Sequence, residues 1–596
     1  APPSEGAPPS EGAPPSERGG APVIGEGRLR SLASGWGLLW VAVVVLVLAP
    51  AGCFLAVGVS PRLFGQGSAL LTFANLRQAF SGFELEGLRN SLMVGAAAAF
   101  GALGIAAGLA WALQRTTVAG KGMWRVLLWA VLLAPSYLVS VGWEELMGKG
   151  GLLAAAGIGW TLARHLFFGP AGVAFVLALK GVPFAYFALA PAMAGVGQEL
   201  GDAARVHGGG RLRVALTVAP VLAPAAFAGL VMVFAESIGD FGVAATIGAS
   251  SHVPLATYTL YESVSTYPVA FGAAAATGAL LVAAVACALG VQWKVTRGRS
   301  YAVLGGRTRP VPPRRLGRGA AIAVTAAIGA FYGFALGVPL LGAVGSSLLV
   351  PFRPLAFGNL TTAFYRQLLV SGRAGAAVSS VGFSAEMGLV TAVVTVFLGL
   401  LVARRSTARG AGVLARAFDL TLLGAVALPG IVFAAGYIFL YDLPVWSRLG
   451  IVLYGTTPLL AMAYMANGLP STSRILMGPM AQVQQSLLDA ARVHGARVSS
   501  AWRHGVLPLL SQSLLWAALL AFAATFLELP ISELLSPPGV TPVSVAILRV
   551  LGKANIGEGT ALSVIAVGFT VVVIALVQGG FRIFAPKGWR QVGGLK

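Results

Sequence analysis

The chain has 596 residues, of which 57% are hydrophobic and 10% charged, with a mean hydropathy of +0.82. Soluble domains carry roughly a quarter charged residues, so a soluble globular protein is excluded. The formal charge of +21 does not signal nucleic acid, because Lys and Arg fall in short segments at alternate ends of apolar runs, as membrane orientation requires.

Residues 1–22 repeat Ala-Pro-Pro-Ser-Glu-Gly almost without change. Such a tract cannot bury a core, and residues 1–30 are read as a disordered, Pro-rich cytoplasmic tail. It has no apolar h-region and so is not a signal peptide. Apolar windows long enough to cross a hydrocarbon layer of about 30 Å follow. Six are predicted at 36–59, 89–113, 125–143, 171–192, 217–238 and 269–292, and six more at 320–345, 380–403, 416–440, 451–470, 506–528 and 560–580. The stretch 151–160 is too short to span and is read as a re-entrant or surface segment. Cys53 and Cys287 lie in apolar runs without metal-ligand spacing, and are read as small buried hydrophobes.

The fold class is therefore an all-α polytopic membrane protein, with about 12 transmembrane helices as two parallel six-helix repeats. The first unit is 31–293, a basic cytoplasmic linker is 294–319, and the second unit is 320–596. With a cytoplasmic N-terminus, inner segments hold 29 of the 41 basic residues and outer ends 11. Both termini are then inside. Six spans per half give both halves one orientation, related by an axis along the membrane normal.

One string appears twice. Asp-Ala-Ala-Arg-Val-His-Gly stands at 202–208 and again at 489–495, each copy in a polar break between apolar segments. Each copy carries helix signals: two alanines, and a glycine (Gly208, Gly495) suited to a left-handed C′ position. A plain connector would explain one such copy. Two identical copies at matching positions point to a shared docking element on one side of the membrane. His207 and His494 have no further ligands nearby in sequence and are read as packing or interface residues.

These stretches resemble the EAA loop of ABC-transporter permeases, in which Glu-Ala-Ala is followed by Gly and, about a dozen residues later, Leu-Pro. Asp489-Ala490-Ala491, Gly495 and Leu507-Pro508 match with Asp for Glu. Asp202-Ala203-Ala204 and Gly208 match too, but Pro220 arrives one residue early and follows Ala219. The EAA-like loops are 198–216 and 485–505. Arg115 and Arg404-Arg405 close the second span of each half, and Ala134-Pro135 and Leu428-Pro429 lie within the third spans, as in this family. The fused layout, with Glu236 to Gly242 and Glu528-Leu529-Pro530 through Pro537-Pro538-Gly539, resembles ferric iron(III) permeases, though thiamine, polyamine and phosphonate permeases share part of it.

The resemblance implies the permease subunit of a bacterial inner-membrane importer carrying ferric iron. Two ATP-binding cassette subunits would dock on Asp202, Ala203, Ala204 and Gly208, and on Asp489, Ala490, Ala491 and Gly495. An extracytoplasmic substrate-binding protein would deliver the cargo. A related permease for another small solute, or a secondary transporter with two six-span repeats, are the rival readings; the latter leaves the repeated string unexplained.

No GxxxxGK[ST] loop, Ser-His-Asp set or HExxH occurs, so the chain is expected to be non-catalytic and to bind no cofactor itself. ATP and Mg would sit in the partner subunits. Glu236, Asp240, Glu528 and Glu533 stand near the outer ends of the fifth spans and are the substrate-path candidates. Otherwise they cap helix ends, meet water or contact a docking protein. Glu386 and Lys180, inside apolar windows, are expected to pair within the bundle or to snorkel. No metal-ligand set is assigned.

Overall fold

The computed structural model describes residues 37, 39–296, 311–370, 374–407, 413–426 and 428–586. The Pro-rich tail and most of the basic linker lie outside them. The principal helices in the described part of the first half are α1 (Leu39–Val57), α2 (Gly82–Arg115), α3 (Lys121–Leu133), α4 (Ser136–Met147), α5 (Pro170–Gly195), α6 (Gln198–Val206), α7 (Arg211–Gly239), α8 (Ala256–Ser265) and α9 (Phe271–Thr296). The second repeats the order with α10 (Arg318–Leu348), α11 (Ala374–Ser406), α12 (Val413–Val426), α13 (Gly430–Tyr441), α14 (Thr457–Ala481), α15 (Gln485–Val493), α16 (Val498–Phe526), α17 (Pro530–Leu535), α18 (Val543–Gly552) and α19 (Ile556–Phe584). Among the described residues there are no strands beyond two isolated bridges.

Each predicted window overlaps helix, but 125–143 and 416–440, expected as single spans, are each two helices. Ten helices are long and apolar enough to cross a membrane, and the bent pair of α3 with the α4 region makes eleven. The window at 451–470 is α14, 25 residues long but more polar than the rest. Cys287 departs from its expected burial: it is exposed on α9, while Cys53 is partly covered on α1.

Both third spans break at proline. A proline lacks its N–H and pushes the residue before it out of the helical region. Ala134 (ψ 124°) and Pro135 (ψ 137°) are accordingly extended, and the chain turns by 95° between α3 and the following helix. Pro429, at ψ 135°, separates α12 from α13 in the same way.

The two halves interlock through these broken spans. A Cβ on Gly142 of α4 would lie 2.1 Å from the carbonyl oxygen of Pro339 on α10. A Cβ on Gly436 of α13 would lie 2.6 Å from the carbonyl oxygen of Pro50 on α1. Each half's first helix thus packs on the other half's third span. In lipid, apolar burial does not by itself drive helices together, so such close backbone approach is a main source of association.

Five-residue π-turns at Val44–Leu48 and Gly333–Gly337 interrupt α1 and α10 beside these contacts. A π-turn loosens the carbonyl ladder, and Tyr437 and Tyr441 donate to the carbonyls of Leu46 and Val45 at 2.6 and 3.0 Å. Opposite them, Trp143 stacks on Phe334 with ring centres 6.1 Å apart. Within each half a serine ties the second span to the short helix before the last: Ser91 and Ser384 accept from the amides of Ala256 and Val543, both at 2.8 Å.

Candidate functional site

The repeated string folds into a nine-residue helix in each half, α6 and α15. Gly208 and Gly495 end them with φ of +72° and +73°. The amides of Gly209 and Ala496 return to the carbonyls of Ala204 and Ala491 at 2.8 and 3.0 Å, and those of Gly208 and Gly495 to Arg205 and Arg492 at 2.9 Å. This double closure satisfies carbonyls that a helix end leaves free. Asp202 pairs with Arg205 at 2.7 Å, and Asp489 with Arg492 at 3.2 Å, one turn along each helix. These exposed pairs contribute only about 0.3–0.5 kcal/mol each.

Beside these ion pairs the helices also offer apolar side chains outward. Val206 and Val493 are 84% and 85% exposed, at identical places just before the His-Gly ending. Ala203 and Ala490 are exposed as well. The chains leave these helices differently. From Arg211 the first half runs as one helix through Pro220, whereas the second passes a π-turn at Trp502–Val506 before Leu507-Pro508. The early proline noted in the sequence marks that difference.

Between the halves lies a cavity of about 790 Å³. Its walls include Pro135, Ser136 and Tyr137 at the first broken span, Pro429 and Gly430 at the second, and the facing helices α5, α7, α14 and α16. Lys180-Gly181-Val182-Pro183 on α5 and Asn467-Gly468-Leu469-Pro470 on α14 are equivalent stretches, and Lys180 and Asn467 both line the cavity.

Most of its charge is already committed. The Lys180 ammonium donates to the carbonyls of Val131, Leu132 and Ala134, at 2.8 and 3.3 Å for the first two. Those carbonyls belong to the end of α3, which the proline break leaves without amide partners. Asp240 accepts from the amide of Val243 at 2.7 Å. Glu528 accepts from the amides of Ile531 and Ser532 and the Ser532 hydroxyl, all at 2.9 Å, and so caps α17. Glu533 is turned to the hydroxyl of Tyr261 on α8, 3.2 Å away, and joins the two halves. Of the four carboxylates predicted for the path, Glu236, Asp240 and Glu528 line the cavity; Glu533 does not.

Three polar groups at this cavity show no hydrogen-bond partner among the described residues. The Glu236 side chain reaches solvent and neighbours Lys180 and Asp240. Asn467 is exposed to the cavity. The Tyr137 hydroxyl is buried without a partner, on a residue only 2% exposed. Sequence reasoning missed Tyr137 and Asn467. Placing the chain in register on the repeated string would have set Asn467 opposite Lys180. Glu386 is exposed on α11, away from this cavity. Among the described residues no group of three or more His, Cys, Asp or Glu is placed to hold a metal ion.

The molybdenum transport system permease protein ModB of Escherichia coli is 30% identical to this chain over 186 residues, 81% of its own length and 30% of this one. The chain belongs to the ABC transporter permeases. ABC transporter permease protein y4fN of Sinorhizobium fredii is 25% identical over 481 residues, covering 78% of this chain and 82% of its own. A protein named as a ferric transport system permease, FbpB 1 of Haemophilus influenzae, is 22% identical over 430 residues, 70% of this chain and 65% of its own. No protein-family model matches the chain. The long matches to y4fN and FbpB 1 extend across both repeats, as a fused two-unit permease requires, and the match to ModB is shorter than one repeat. Permeases of this kind are non-catalytic, multi-pass subunits of import systems in the bacterial inner membrane.

Proposed function

We propose that this permease carries ferric iron inward, driven by ATP hydrolysis in two separate subunits that dock on α6 and α15 from the cytoplasm. The substrate reading rests on Glu236. Three carboxylates, Glu236, Asp240 and Glu528, line the cavity against one ammonium, Lys180, so its formal charge is net negative, and of the three only Glu236 is not bonded to a helix-end amide. A hard cation takes oxygen ligands, which Glu236, the Asn467 amide and the Tyr137 hydroxyl supply. An oxyanion of molybdenum or a 2-aminoethylphosphonate, molybdenum and 2-aminoethylphosphonate being the cargoes named for some relatives, would meet three carboxylates against the single Lys180 ammonium.

The mechanism follows from the interlock. Because α1 and α10 each pack on the opposite third span, displacement of α6 and α15 by nucleotide-driven partners is transmitted to both elbows at once. The elbows at Pro135 and Pro429 carry cavity walls, so the path opens to one side or the other as two discrete states. Binding proteins on the outer face supply cargo to the open-outward state.

The test is uptake by proteoliposomes containing the permease, its ATPase subunits and its binding protein. Ferric iron taken up only with ATP, and reduced uptake by Glu236→Gln in an intact assembly, support the reading. Molybdate uptake without iron uptake rules out the cation, and uptake that follows an ion gradient without ATP rules out the machine.

A further inference from the structure

One residue of the first half is bonded both to the inter-repeat linker and to the segment leading into α6. Arg115 ends α2. Its guanidinium donates to the carbonyls of Met193 and Val196, the latter at 2.8 Å, just before α6 begins at Gln198. Its own carbonyl accepts from the amide of Arg314 at 2.8 Å, and the amide of Thr117 donates back to the carbonyl of Arg314 at 3.1 Å. Arg314 belongs to the linker, where Pro312-Pro313 immediately before it forbids helix and holds the strand extended. The two hydrogen bonds form a short parallel bridge at Thr116, which is fully buried and whose hydroxyl donates to Ala112 at 2.6 Å.

In the second half Arg404, near the end of α11, lies over the Trp502 ring at 4.7 Å, beyond the C-terminal end of α15.

We propose that Arg115 and the Arg314 backbone are positioning residues that fix α6 against α2, so that the linker takes part in coupling at the first ATPase-docking site rather than merely tethering the halves. This rests on the reading of α6 and α15 as docking helices. A helix end has carbonyls with no partner of their own. The linker amide satisfies one at the end of α2, and the Arg115 side chain satisfies two at the end of α5. Besides the packing of α5 and α7 on α2, the Arg115 side chain therefore links α2 directly to the segment that enters α6, and the linker keeps the backbone of that residue from fraying.

The experiment measures cargo transported per ATP hydrolysed by the full complex in proteoliposomes. Arg115→Met and Arg314→Pro, which removes the donating amide, are each expected to lower that ratio by about fivefold, a typical coupling effect. Arg115→Lys should recover part of it. Cleavage at a protease site placed within 303–306 should leave the ratio unchanged, because the bridge lies beyond the cut. Gly208→Val is the control for the docking reading. If it weakens ATPase association while Arg115→Met and Arg314→Pro assemble with an unaltered ratio, the positioning role is overturned and the docking role stands. If Gly208→Val has no effect on association, both fall. A ratio lost on cleavage alone would make the linker a tether and overturn the proposal.

Discussion

Gly142 and Gly436 occupy the same place in the two broken third spans, and each lies against a proline carbonyl of the opposite half: Pro339 for the first, Pro50 for the second. The pair defines how the halves are joined, because no side chain fits at either point.

Valine at Gly142 has to displace backbone, with the added Cβ only 2.1 Å from the Pro339 oxygen. Overpacking of this kind costs about 1–3 kcal/mol. Thermal unfolding in detergent should show Gly142→Val less stable than the native chain, and Gly436→Val, with its 2.6 Å approach, affected to a smaller degree. Native-like melting of both would refute the interlock.

The endings of α6 and α15 require left-handed backbone, which costs a β-branched residue about 1–2 kcal/mol. Gly208→Val and Gly495→Val should keep the fold of the spans but distort the docking face that carries Val206 and Val493. Pull-down of the ATPase subunits is expected to fall for each variant and to be lost in the double variant.

Glu236 and Glu528 should separate cleanly. Glu236→Gln keeps shape, removes charge, and is expected to cut uptake while melting is unchanged. Glu528→Ala removes a cap bonded to two amides, and caps contribute about 0.5–2 kcal/mol. Its main effect should be a lower melting temperature. The reverse pattern would exchange their roles.

Lys180→Met leaves the end of α3 with unpaired carbonyls, and lost bonds to a charged partner cost about 1.5–3 kcal/mol. Destabilisation should appear as easier proteolysis near the Pro135 elbow. Lys180→Arg should restore protection, since a guanidinium also donates to several carbonyls.

The breaks at Pro135 and Pro429 were not read, because both prolines sit inside windows of unbroken apolar length, whereas the spans and the paired α6 and α15 were legible in the sequence, because apolar length and a repeated string are local signals. The interlock was not. Nothing near Gly142 announces Pro339, since close backbone approach has no signature beyond a glycine among many. The carboxylates were found by type and depth, but type alone could not separate Glu528, which caps α17, from Glu236, which faces the cavity. That distinction depends on which amides the chain brings round, and Ile531 and Ser532 do so only because Pro530 starts a new helix.

The most direct test of two ATPase-docking helices is disulfide cross-linking. Ala203→Cys and Ala490→Cys would be introduced singly into a chain whose Cys53 and Cys287 are replaced, in complexes with ATPase subunits bearing a surface cysteine in their permease-facing cleft. Cross-links from both positions, formed on the cytoplasmic side and altered in yield by nucleotide, are the predicted result. Labelling of either position from outside the cell, or no cross-link from either in an active complex, would contradict the account.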